Sequence, residues 1–89
     1  EAMEKAATEV GLSNEHARLL TIETALGAAK MALLPASDLA ELRKQVTSPG
    51  GTTEQALNTF QQGKLEELVK EAMSAAEQRS IELSQLLSE

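Results

Sequence analysis

At 89 residues, this chain is one small domain; a domain of that size buries only about 60–65% of its unfolded surface on its own, so a partner chain would help stabilise it. A net charge of −6, no basic run and a single aromatic residue, Phe60, argue against a nucleic-acid surface. The absence of cysteine excludes a disulfide framework and a thiolate metal site and fits a cytoplasmic protein; no stretch reaches the ~18 consecutive apolar residues of a membrane span.

The chain opens as Glu1-Ala2-Met3-Glu4-Lys5-Ala6-Ala7, already in helical rhythm, with no capping residue, initiator Met or signal-peptide layout before it. That opening reads as the tail of something longer. Met3, Ala6, Ala7 and Val10 form an apolar stripe at helical spacing, which Gly11 ends. Ser13 or Asn14 is placed to cap a second helix. Its later part, from Leu19 and Ile22 through Leu26, Ala29 and Met31 to Leu34, is apolar on nearly every face until Pro35 stops it. Such a helix belongs in a domain centre or an interface. Gly27 inside it costs about 1 kcal/mol against alanine, which makes sense where another helix comes very close.

Asp38 with Glu41 spells a capping box opening a short third helix that runs through Val46. Thr52 with Gln55 spells a second box opening a fourth helix, which Gly63 ends, and the last helix begins near Lys64. In that last helix Leu65, Val69, Ala72, Ala76, Arg79, Leu83 and Leu86 alternate spacings of four and three, the seam of a helix packed lengthwise on others. Arg79, the polar member, is either a paired interface charge or a snorkelling rim residue. No segment reads as a strand, so the fold class is all-α with four or five helices.

Chemistry is concentrated in Val46-Thr47-Ser48-Pro49-Gly50-Gly51-Thr52-Thr53-Glu54-Gln55-Ala56-Leu57. Gly50 and Gly51 permit backbone conformations closed to other residues, and the first amides of the following helix leave its positive end, so the loop can wrap an anion. Hydroxyls of Thr47, Ser48, Thr52 and Thr53 add donors. The same residues also make an ordinary turn and N-cap, the commoner outcome, and a Thr52 hydroxyl spent on capping is less available to a ligand. Elsewhere the residues offer little: His16 is a lone histidine without triad or metal partners, and the carboxylates are spread along helix faces, as with Glu67 beside Lys70 and Glu71. No Gly-x-Gly-x-x-Gly follows a strand, and no lysine follows the glycines as in a nucleotide P-loop.

The whole string closely resembles the signature of the pyrroline-5-carboxylate reductases. Upstream, Gly27-Ala28-Ala29-Lys30-Met31 and Leu42-Arg43 fall at that family's positions; downstream, Gly63, Glu67-Leu68-Val69, Glu71-Ala72 and Gln78-Arg79-Ser80 do so. The resemblance covers nearly all of this chain but only the C-terminal part of such an enzyme. It implies a helical dimerisation domain of a 6-phosphogluconate-dehydrogenase-like reductase, with residues 1–89 forming an interlocked two-fold dimer and the substrate half of an active site. NADPH or NADH would be held by a preceding Rossmann domain outside this chain, which itself is expected to bind no cofactor and no metal and to be inactive alone.

The carboxylate of the implied substrate, 1-pyrroline-5-carboxylate, suits the positive helix end, where the Gly51 and Thr52 amides and the Ser48 hydroxyl would receive it, with Gly50 in the same substrate-binding loop; by similarity to the family Thr53, the catalytic residue, would hydrogen-bond the ring nitrogen. The family's reaction reduces that imine to L-proline. Where the family often has a second glycine and an aromatic after Gly63, this chain has Lys64 and Leu65, and where it often has proline at the start of the third helix it has Leu39. Two other classes stay open: a stand-alone dimerisation module with the loop as a connector, and the helical half of a related small-acid dehydrogenase. The expected partners are further copies of the chain, in a homodimer or a higher oligomer built from dimers, and the small-molecule substrate, with neither nucleic acid nor membrane.

Overall fold

A computed structural model describes residues 1–34 and 38–88, and every regular element in them is helical. In chain order these are α1 (Ala2–Glu9), α2 (Asn14–Ala32), α3 (Leu39–Gln45), α4 (Thr52–Gln62) and α5 (Leu65–Leu87). The all-α expectation holds, at five helices among the described residues. The chain divides into two compact units, Glu1–Gln45 and Val46–Glu89. None of the described helices is long and apolar enough to cross a membrane.

In the first unit α1 packs on α2. Gly11, at φ +114, closes α1: its amide donates to the Thr8 carbonyl at 3.1 Å and the Leu12 amide to the Ala7 carbonyl at 3.1 Å. Both bonds of a Schellman motif are therefore made, and two orphan carbonyls are satisfied. Ser13 rather than Asn14 caps α2, its hydroxyl accepting from the His16 amide at 3.2 Å. Ala17, in the first turns of α2, is the one fully buried residue described. A methyl side chain there lets two helices approach without a bulky filler.

α2 ends at Ala32, and the Leu33 and Leu34 amides bond back to the carbonyls of Ala29, Lys30 and Met31 at 3.2 Å. The last turn thus tightens from four-residue to three-residue spacing before Pro35, which lies outside the described residues. Asp38 caps α3 as its spacing predicts, Oδ1 accepting from the Glu41 amide at 2.7 Å.

In the second unit α4 touches α5. Gly63 does end α4, but at an ordinary φ of −80; the left-handed residue is the next one, Lys64, at φ 59 and ψ 44. Lys64 serves as the N-cap of α5 without a side-chain bond, while its carbonyl accepts from Leu68 at 3.0 Å. A left-handed residue with a Cβ costs about 1–2 kcal/mol, so this corner carries strain that a glycine would not. Arg79 is paired, though within its own helix, with Glu82 at 3.1 Å. Both members are largely exposed, so the pair adds little stability.

The apolar faces predicted to be interfaces are open in the single chain. Leu19, Leu20, Ile22 and Leu26 on α2 are about half exposed, as are Leu65, Val69 and Leu83 on the α5 seam. No atom lies within 4 Å of where a Cβ on Gly27 would stand. Nothing among the described residues therefore offsets the helix-propensity cost of that glycine.

Lys64→Gly is expected to stabilise the protein, because relief of the left-handed strain exceeds the added unfolded-state freedom of glycine by up to about 1 kcal/mol. The check is the urea midpoint or melting temperature of the variant, which should rise.

Candidate functional site

The loop between α3 and α4 is built by a turn that the order of its residues demands. Pro49 has its φ locked near the value required at the second position of a β-turn, and Gly50 follows at φ +73, the left-handed value required at the third position of type II. The turn closes where the Gly51 amide donates to the Ser48 carbonyl at 2.9 Å. Gly51 is then extended, at φ −88 and ψ 179, and forms the N-cap of α4.

This corrects two readings of the loop. The expected Thr52 and Gln55 capping box is not formed: Thr52 is the first residue inside the helix, the cap is a glycine with no side chain, and the Gln55 amide bonds the Gly51 carbonyl at 3.3 Å. A cap one residue earlier moves every helix position by one. Glu54 thereby takes the third place in α4, from which its Oε2 accepts from the Gly50 amide at 2.8 Å. Only Gly50, moreover, uses a conformation reserved for glycine. A Cβ on Gly51 would stand 3.1 Å from the Ser48 carbonyl oxygen, close enough to press on that carbonyl.

These bonds decide which donors the loop can offer. The Gly51 amide, expected to face an anion, is engaged by Ser48, and the Gly50 amide by Glu54. The amides of Thr52, Thr53 and Glu54 begin α4 and have no acceptor within the helix, and they issue from its positive end. The Thr52 hydroxyl is released from capping. Ser48, Gly50 and Thr52 are exposed, whereas Thr47, Gly51, Thr53 and Glu54 are half-buried, with Leu57 half-buried one turn further along the face of Thr53. The predicted site residues Ser48, Gly50, Gly51, Thr52 and Thr53 lie within the Ser48–Gly51 turn and the first turn of α4.

Glu54 was legible only in part. A glutamate three places after a helix cap is a recognisable signal, but it points here only once Gly51 rather than Thr52 is known to be the cap. His16 is exposed. Among the described residues no three His, Cys, Asp or Glu side chains are grouped to hold a metal ion. Open hollows lie along α5, one beside Arg79 and Leu83 and another beside Glu67 and Ser74, and neither includes a loop residue. Both are lined from α5 and its C-cap alone; the first takes in the seam residues Ala76, Arg79 and Leu83, and the second none of the seam.

A helical chain with this loop leading into its fourth helix has known relatives. The family model described as pyrroline-5-carboxylate reductase dimerisation matches residues 1–83. The chain belongs to this family. A pyrroline-5-carboxylate reductase of Pseudomonas aeruginosa is 52% identical over 89 residues, covering 100% of this chain and 33% of that protein. Pyrroline-5-carboxylate reductase 2 of Bacillus subtilis is 42% identical over 85 residues, 96% of this chain and 31% of that protein. The structure of a pyrroline-5-carboxylate reductase from Coxiella burnetii superposes with a TM-score of 0.86 at 50% identity, covering 92% of this chain and 30% of that one. The chain thus spans about a third of the length of the reductases it matches. The five helices are those of the reductase dimerisation domain.

The turn geometry ranks three substitutions by stability. Gly50→Ala should cost about 1–2 kcal/mol through its left-handed φ. Gly51→Ala should also destabilise, by forcing the Ser48 carbonyl aside, whereas Thr52→Ala, no longer a cap, should stay within about 0.5 kcal/mol of the parent. Denaturant midpoints of the three variants check the order.

Proposed function

We propose that this chain is the dimerisation and substrate-binding part of a pyrroline-5-carboxylate reductase acting in the cytoplasm, reducing 1-pyrroline-5-carboxylate to L-proline. The observation that carries this reading is the 52% identity to a reductase across the entire chain. The loop geometry supports it, because its open donors sit at a positive helix end suited to a small carboxylate.

In this reading the Thr52 and Thr53 amides and the Ser48 hydroxyl receive the substrate carboxylate. Gly50 and Gly51 shape the turn beneath it. The Thr53 hydroxyl, on the half-buried face of α4, hydrogen-bonds the ring nitrogen and fixes which face of the imine is presented. The hydride that reduces the imine carbon comes from a nicotinamide, NADPH or NADH, held outside residues 1–89. The described residues carry no strand followed by a Gly-x-Gly-x-x-Gly turn and so offer no dinucleotide site of that kind. What the loop contributes is orientation and a local field that favours the protonated imine.

The partner in this reading is a second copy of the chain, in an interlocked two-fold dimer. The dimerisation family and the open apolar faces of α2 and α5 support it. Gly27, with empty space around it in the single chain, fits a helix of the partner crossing close by.

Two measurements test the proposal. Thr53→Ala in the intact enzyme should lower kcat/KM by about tenfold to a hundredfold, equivalent to about 1.5–3 kcal/mol, with little change in melting temperature. Unchanged kinetics would return the loop to a connector and favour a dimerisation module without catalysis. Sedimentation equilibrium should give a dimer at micromolar concentration, and a monomer with a cooperative melt would refute the partner assignment.

A further inference from the structure

Of the residues in the loop, Glu54 has a role that the proposed chemistry does not use. Its carboxylate reaches back four residues to the Gly50 amide, at 2.8 Å, in a chain where almost every other acidic side chain is exposed and Glu54 is half-buried. Gly50 sits at φ +73 with nothing within 4 Å of its missing Cβ. Gly50 has no side chain to hold it, and nothing beyond its chain neighbours packs where a Cβ would stand. Glycine also has the greatest backbone freedom of any residue, and a second glycine follows directly. Besides the closing bond from the Gly51 amide to Ser48 and the bond from the Gln55 amide to the Gly51 carbonyl, the Glu54 bond ties this turn to the first turn of α4, and it is the one that reaches Gly50.

We propose that Glu54 is a positioning residue for the substrate loop: its carboxylate tethers Gly50, holds the turn shut, and so presents the Thr52 and Thr53 amides as the open donors. This rests on the reductase reading for its kinetic consequence, though not for the tether itself. The bond runs from the first turn of α4 to a segment of two consecutive glycines, so this one acceptor restricts a stretch that otherwise has wide backbone freedom. Preorganisation of this kind acts on substrate binding and orientation, because the donors need no rearrangement when the carboxylate arrives. The function is one of reach and acceptor strength rather than of net charge. Aspartate retains the charge but is one methylene short; glutamine retains the length and an acceptor oxygen but loses the charge.

The test compares Glu54→Ala, Glu54→Asp and Glu54→Gln in the intact enzyme. The KM for 1-pyrroline-5-carboxylate should rise by about tenfold in the Ala and Asp variants, while the KM for the nicotinamide stays within about twofold of the parent. Glu54→Gln should restore substrate KM to within about threefold of the parent, which a role resting on the charge alone would not do. Amide hydrogen exchange of Gly50, followed by NMR on glycine-labelled protein, reads the tether without reference to activity. It should be about tenfold faster in the Ala and Asp variants than in the parent and the Gln variant. If Glu54→Gln is as impaired as Glu54→Asp, or if Gly50 exchanges alike in all four proteins, the tether is overturned. An intact parent enzyme that does not reduce the substrate would instead overturn the reductase reading, leaving the Gly50 exchange rates to decide on Glu54.

Discussion

A helix whose later part is apolar on nearly every face needs other chain packed around that part, and this chain has too little material to cover it. α2 carries Leu19, Leu20, Ile22, Leu26 and Met31 around its circumference, yet the single chain buries only Ala17 completely among the described residues. Much else depends on this shortage. With one aromatic residue and many alanines, the helices are thin, and thin helices gain most of their stability by close approach to other helices rather than by enclosing large side chains. Membership of a dimerisation family fits a chain that leaves these apolar faces open.

The same shortage explains why so many helix ends are secured locally. Without a thick core to hold the termini, Gly11 closes α1 with both Schellman bonds, Ser13 caps α2 and Asp38 caps α3. Each such device contributes on the order of 1 kcal/mol and needs no tertiary partner. Lys64 is the exception. There the chain accepts a left-handed residue with a full side chain to turn from α4 into α5.

The loop before α4 shows how backbone accounting narrows a chemical reading. Glycines beside a helix start suggest a ring of free amides, but the Gly51 amide closes its own turn and the Gly50 amide is held by Glu54. The donors left to a ligand come from the first residues of the helix proper. Those residues are rigid and lie where the helix field is most positive, so a small carboxylate would meet donors that do not have to move.

Helix number, most helix ends and the loop itself were legible in the sequence because each rests on interactions spanning a few residues. Gly11 after an apolar stripe, Asp38 three places before Glu41, and Gly63 before a heptad seam determine local geometry with little help from the rest of the chain. The family resemblance, too, was carried by one continuous string and its near neighbours. The sequence could not determine which residue caps α4, because Thr52 and Gly51 are both acceptable caps by type and the choice follows from the φ and ψ values of consecutive glycines. Once the three-dimensional path placed Gly51 at the cap, Glu54 moved into reach of Gly50, Thr52 was released, and the left-handed conformation fell to Gly50 alone. The position of Lys64 was hidden for the same reason: a side chain tolerates a left-handed φ only where two helices must turn sharply into one another. That demand belongs to the fold rather than to the residue.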